Sequence, residues 1–411
     1  MDIVRYDPAK HLEDCLTTWR DSGWLEKGME KAAGEFISSG SALVSLEGGR
    51  AVALATSGRG GFHHCLHGSE LDFCSINTVN VALHGRRMGH GGTLTASLLA
   101  EAAERGDACA GLGMFEQGFY NRLGFSNMPY WKILQVRPSD IAVPGELSSR
   151  PVRLTGEDWR EIHDNRRERY RFHGSLNLTP AYTKVAMETS PGGFALGFRN
   201  RDGKLTHHLF IEKMEGENGP VSVGWLNFRR PAEFTDLMLV LASMGDQIDL
   251  VRFSEPPGIQ VQPLLKKPLA SRRRTLGAPG GRVEVRTLSW TQCRILSVEG
   301  SLNGMKCRGK PVSFNLRLHD PVGKHLLGSP GWRGCGGDYT VHLSVETEAS
   351  QGFTHGLPVL ECSVNSFTRL WNGSARPSLL PFTDRVDASP GLLEMLDEAL
   401  PMPEPSFDWE I

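Results

Sequence analysis

Residues 84–92 read HGRRMGHGG, a segment whose residue types suit the grip of a phosphate anion. Glycines at 85, 89, 91 and 92 let the backbone approach a ligand closely, because no Cβ stands in the way. A helix that starts here offers unpaired N–H groups and the positive end of its dipole, which together favour a pyrophosphate. Arg86 and Arg87 add charge-assisted donors, and the backbone amides from Arg86 to Thr93 are the candidate grip. Val79 and Val81 stand on the strand-like run just before the loop. A strand splayed open at this point pairs its backbone with an extended, amide-bearing ligand. Coenzyme A has both parts, a pyrophosphate and a pantetheine arm.

The elements around the loop follow from periodicity. Residues 41–55, SALVSLEGGRAVALA, are two apolar β-rich runs joined by Gly48-Gly49, and alternation resumes through Phe62, His64 and Leu66. Residues 73–83, FCSINTVNVAL, make a longer strand. Residues 93–105, TLTASLLAEAAER, place Leu94, Leu98 and Ala102 on one helical face and stop at Gly106. A short strand over 108–114 then leads into a segment holding Phe119, Tyr120 and Phe125.

The same order returns further along. Residues 193–212 are strand, turn and strand with the turn at Asp202-Gly203; 221–228 is a strand, 233–244 a helix and 249–253 a strand. Two copies of one α/β unit are therefore expected, with a linker near 140–149 marked by Pro144 and Gly145. From about Val283 a third, smaller α+β unit is expected, with strands over 313–318 and 339–346 and a helix over 391–400. The tail PMPEPSFDWEI has three prolines and is not regular helix.

Arg86-x-x-Gly89-x-Gly91 between strand and helix resembles the acetyl-CoA motif of the GNAT superfamily, and Tyr120 in GFYNRLGF resembles the tyrosine those enzymes use as general acid. Residues 313–400, including LECSVNSFTRLWNGSARPSLLP, are similar to a sterol-carrier-protein-like domain. This order of three domains resembles the enhanced intracellular survival (Eis) family of N-acetyltransferases over nearly the whole chain. The resemblance implies an α/β (α+β) protein of three parts. Residues 1–139 would be a GNAT domain with the CoA site, 150–282 a second, degenerate GNAT domain, and 283–411 the sterol-carrier-protein-like domain with its tail. The sheets would be mixed and mostly antiparallel. It also implies one acetyl-CoA per chain as co-substrate, because FRRPAE at 228–233 keeps two arginines but no glycine, and Pro231 lacks a donor. It implies a hexamer, and acceptors among aminoglycosides, polyamines and lysine side chains. The family's general base is the chain's own terminal carboxylate, here that of Ile411.

Those roles make chemical sense. An alkylammonium has a reference pKa of about 10.4 and must lose a proton before it attacks a thioester, and a desolvated carboxylate accepts it. The leaving thiolate needs a proton, which a tyrosine with a reference pKa of about 10 supplies. Glu404, Asp408 and Glu410 make the tail negative, which favours a cationic acceptor. The chain departs from the family in ending Trp409-Glu410-Ile411 rather than in an aromatic residue, and in carrying Phe115 where serine is common. A CoA- or lipid-binding carrier without turnover, and an acyltransferase for longer chains, stay open as alternatives.

Composition excludes little else. The 411 residues carry a formal net charge of −2, with 39% hydrophobic and 22% charged residues, as in ordinary globular proteins, so no polyanion partner is implied. The basic stretch of Lys266, Lys267 and Arg272 to Arg274 is broken by Pro268 and followed by glycines, and reads as a solvated connection, not a nucleic-acid face. No signal-like start and no run of eighteen apolar residues is present. Eight cysteines without a CxxC pair read as reduced thiols in a cytoplasm. His63, His64, Cys65 and His67 alternate sides of a strand and read as surface and packing residues; no metal is expected there or at His207 and His208.

Overall fold

The computed structural model describes residues 1–267, 269, 283–326 and 331–411. The expected basic connection at Arg272 to Arg274 and its glycines lies outside the described residues. Two compact units form: Met1–Pro129 with Phe172–Thr179 and Trp290–Ile411, and Tyr130–Arg171 with Pro180–Ser289.

The first unit holds an eight-stranded sheet. Its strands β1 (Asp2–Arg5), β2 (Ser41–Glu47), β3 (Arg50–Phe62) and β4 (Leu71–Val81) are antiparallel neighbours. β5 (Cys109–Gly113) runs parallel to β4. The strand Thr291–Ile295 then lies between β5 and β6 (Ser126–Asn127), and Leu176–Leu178 pairs with the far end of β3. Sequence order hides both insertions, since each comes from a distant segment. Helices α1 (Pro8–Asp21) and α2 (Glu30–Ser38) cover one face of the sheet around Leu16, Trp19, Ile37 and Val44. Helix α3 (His90–Arg105) packs Leu94, Leu98, Leu99 and Ala102 on the other, against Ile76, Ala110 and Leu112. α3 begins three residues before the expected start, because left-handed Gly89 (φ 92°) turns the chain directly into it. Gly106, at φ 99°, ends it.

The same unit contains a five-stranded sheet in the order Glu348–Gln351, Gly337–Leu343, Val312–His319, Val359–Ser363, Val386–Asp387, with helices Val364–Trp371 and Pro390–Ala399. The second unit is a seven-stranded sheet in the order Glu284–Leu288, Trp131–Val136, Val251–Ser254, Val221–Asn227, Leu205–Met214, Phe194–Arg199, Val152–Leu154. Its helix Pro231–Ser243 follows the strand Val221–Asn227, as α3 follows β4. Mixed sheets with flanking helices agree with the α/β class expected. No helix among the described residues is long and apolar enough to cross a membrane.

Of the histidines after β3, His63 and His67 are part-exposed and His64 is a core residue. His64 is fully buried; its Nε2 donates to the Trp371 carbonyl at 3.0 Å, while its Nδ1 faces the Leu66 amide at 3.3 Å. His173 does the same between Asn372 O (2.9 Å) and the Cys65 amide (3.2 Å), and the two rings meet edge to face at 4.8 Å. Among the described residues no group of histidines, cysteines and carboxylates could hold a metal. Burial holds His64 well below its ordinary range and pushes His173 down to about 4. Both are neutral when folded, whereas an unfolded histidine binds its proton below about pH 6.5. The unfolded state therefore binds more protons as pH falls from about 6.5 toward 4. Stability present above that window is lost by up to about 1.4 kcal/mol per pH unit for each histidine. We expect the thermal midpoint to fall steadily from pH 7 to pH 5 and His173→Gln to flatten that slope; differential scanning calorimetry measures both.

Candidate active site

The β3–β4 ladder runs in register from Phe62↔Leu71 to Thr56↔Asn77, then resumes at Leu54↔Asn80. Two residues, Thr78 and Val79, stand opposite one, and Thr78 takes a left-handed φ of 50°. The parallel ladder between β4 and β5 ends at Ile76↔Leu112. Val79 and Val81 thus lie on β4 beyond its bulge and beyond the last residue paired with β5, which itself ends at Gly113.

Helix α3 starts at this opening. Gly89 caps it without any side-chain hydrogen bond, and its first turn contains no acidic residue. Gly91 lies against the strand: a Cβ there would stand 3.3 Å from the Phe119 ring and 3.5 Å from the methyl groups of Val79 and Val81. Gly92 lies against His325, whose Nδ1 would be 3.0 Å from a Cβ. His325 comes from the 3₁₀ turn Pro321–His325, a neighbour that the local sequence could not reveal. Burial lowers its pKa, with Arg122 and Lys324 adding to the effect. Arg86 and Arg87 are exposed, Arg87 at φ 64°, and among the described residues no carboxylate pairs with either. His90 does not face the opening. It is buried with its ring between Ser45 Oγ (2.8 Å) and the Glu47 carboxylate (2.9 Å), fastening the start of α3 to β2.

Tyr120 sits on the short helix α4 (Gln117–Asn121), 7% exposed, with Phe119 and Phe125 edge-on at 4.8 and 6.1 Å. Burial, reinforced by the Glu116 carboxylate, pushes its hydroxyl up to about 12. Phe115 is 89% exposed.

The tail is bound rather than frayed. Phe407 inserts edge-on between Phe62 and Phe73, and its ring leaves no room for a Cβ at Gly111 (2.7 Å). The Asp408 carboxylate accepts from Ser175 Oγ at 2.8 Å and from the Leu176 amide at 3.0 Å. Trp409 is buried. These anchors carry Ile411 to the last residue of β5, its carbonyl carbon and oxygen 3.7 and 2.6 Å from where a Gly113 Cβ would be. Asp408 is thus engaged in holding the tail, not in presenting charge to the opening.

In the second unit the corresponding helix start supplies its own anion. Glu233, 4% exposed, accepts from the Arg229 amide at 2.7 Å and from the Arg230 guanidinium at 2.9 and 3.2 Å, and Pro231 occupies the first turn. Its carboxylate fills the place that α3 leaves open.

No family model and no curated protein matches the sequence. Solved structures do match, over the whole chain. A probable N-acyltransferase of unknown function from Enterococcus faecalis is 15% identical, with 100% of this chain and 99% of that one covered and a TM-score of 0.82. A GCN5-related N-acetyltransferase from Anabaena variabilis is 13% identical, covered 100% on both sides, with a TM-score of 0.80. Eis1 from Mycobacterium abscessus is 16% identical, again 100% on both sides, with a TM-score of 0.76. The fold is the tandem GNAT fold. The β4 bulge and the glycine-rich start of α3 belong to its first unit.

The position of the chain end is directly testable. Gly113→Ala puts a methyl group against the terminal carboxylate and should free it, so carboxypeptidase releases Ile411 several-fold faster while the melting temperature changes by only a few degrees. Unchanged release would mean that Ile411 does not rest on β5.

Proposed function

We propose that the protein is an N-acetyltransferase that moves an acetyl group from acetyl-CoA to a primary amine by direct attack within a ternary complex. The amides from Arg86 to Gly92, with Gly89, Gly91 and Gly92, would hold the pyrophosphate together with Arg86 and Arg87; the Thr93 amide and hydroxyl instead donate to the Gly89 carbonyl at 3.0 and 3.1 Å. Val79 and Val81 would pair with the pantetheine arm. One observation carries this reading above the rest: an uncapped, glycine-rich helix start lies against Val79 and Val81 of β4, and Ile411 lies against Gly113 at the end of the neighbouring strand β5.

In the reaction the amine nitrogen attacks the thioester carbonyl, a C–N bond forms and the C–S bond breaks. The Ile411 carboxylate accepts the proton lost by the amine, and Tyr120 gives its proton to the departing thiolate. A tyrosine raised to about 12 stays protonated throughout the working range, as a donor must. The acceptor class follows from the family resemblance: aminoglycoside, polyamine or lysine side chain. To the same proposal belong the division at 1–139, 150–282 and 283–411, a hexameric assembly and a cytoplasmic location. So does a sterol-carrier-protein-like third part, which the separate five-stranded sheet supports.

Thiol release from acetyl-CoA with a panel of amines tests the proposal. We expect turnover that Tyr120→Phe lowers by about 10²- to 10⁴-fold. Because burial keeps the tyrosine protonated, no alkaline limb assignable to it should appear below about pH 10. Deleting Glu410 and Ile411 should lower kcat without weakening CoA binding. CoA binding with no release for any amine would instead identify a carrier.

A further inference from the structure

Helix α4, which carries Tyr120, has only five residues and cannot hold itself. Its C-terminal end leaves carbonyls without intrahelical partners. The Asn121 carbonyl takes the Gly124 amide at 3.1 Å, and further donors to the turn 121–125 come from residues 290–411. Asn365 Nδ2 donates to the carbonyls of Asn121 (3.0 Å) and Phe125 (2.6 Å). Arg294 donates from Nη1 to the carbonyl of Leu123. The Tyr120 carbonyl is tied into the same turn by the amides of Leu123 (2.9 Å) and Phe125 (3.2 Å). Gly124, at φ 83°, makes room for this, since a Cβ would stand 2.7 Å from the Arg294 guanidinium and 2.8 Å from Val364.

Arg294 is 0% exposed and its side chain pairs with that of Asp320, itself 1% exposed, at 2.7 Å. Asp320 is fixed in turn by the amides of Val322 (3.1 Å) and Cys335 (2.8 Å), and Trp332 lies 5.1 Å from the guanidinium. A buried ion pair is a weak source of stability, because desolvating both charges offsets their attraction. Arg294 sits on the strand Thr291–Ile295 that is inserted between β5 and β6, and Asn365 on the helix Val364–Trp371. Two elements far along the chain thus converge on one five-residue turn.

We infer that Arg294 and Asn365 are positioning residues for the proton donor: they hold the 121–125 turn so that the Tyr120 side chain, packed edge-on against Phe119 and Phe125, keeps its place. This rests on the proposed acyl transfer. The test uses the full chain, with Arg294→Met, Arg294→Lys and Asn365→Ala measured alone and in the Tyr120→Phe background. A displaced donor should lower kcat by roughly tenfold to 100-fold while KM for acetyl-CoA and calorimetric CoA affinity stay within twofold. Arg294→Lys should recover part of the loss. Once Tyr120 is phenylalanine, each change should cost almost nothing more, since the group being positioned is gone. A loss that multiplies with Tyr120→Phe, or that appears equally in CoA affinity, overturns the inference and leaves a structural role. Should Arg294→Met fail to fold, Asn365→Ala, at a half-buried site, decides alone. No thiol release by the wild-type protein is the separate outcome that overturns the parent proposal.

Discussion

The first backbone amides of α3 point out of the start of the helix and have no partner within it. Gly89 provides no side-chain cap, no acidic residue occupies the first turn, and Arg86 and Arg87 add positive charge. Such an end is unfavourable until an anion arrives. The second unit differs at this point: its helix carries Glu233 in the first turn, and that carboxylate accepts from the Arg229 amide and the Arg230 guanidinium just before the helix. The two helix starts thus differ in charge: glycines and no acidic residue at α3, a buried glutamate at Pro231–Ser243.

The rest of the first unit arranges groups around that opening. The Thr78–Val79 bulge lies on β4 just past the point where β5 ends, so Val79 and Val81 are not paired with β5. Segments from beyond residue 290 complete the surroundings, with His325 against Gly92, Arg294 and Asn365 on the turn after Tyr120, and the tail along β5. The aromatic anchor Phe407 and the Asp408 hydrogen bonds give residues 407–411 a fixed place beside β5. Aromatic insertion of this kind is worth several kcal/mol, on the order of 3–5 for removal of a buried phenylalanine.

Local pattern made the strand–loop–helix around residues 84–92 legible, because glycine spacing and apolar periodicity are properties of contiguous residues. The repeat of that order after residue 193 was legible for the same reason. What could not be read were pairings across long separations. Thr291–Ile295 gives no sign of lying between β5 and β6, and Leu176–Leu178 none of returning to β3. His64 looked like an alternating strand residue, yet the distant Trp371 carbonyl buries it. Glu233 read only as part of a glycine-free loop, although the Arg-Arg-Pro-Ala-Glu spacing carries a capping signal: a glutamate three residues after the cap. Arg294 carried no signal at all, since a lone arginine in an apolar strand finds its partner, Asp320, only in the folded chain.

The most direct measurement is a calorimetric titration of the intact protein with CoA, repeated on a variant that closes the open helix by Gly92→Glu, which places a carboxylate at the position Glu233 occupies in the second unit. The account predicts one CoA bound per chain and at least a tenfold loss of affinity in the variant. Absence of binding, or two molecules bound per chain, would contradict it.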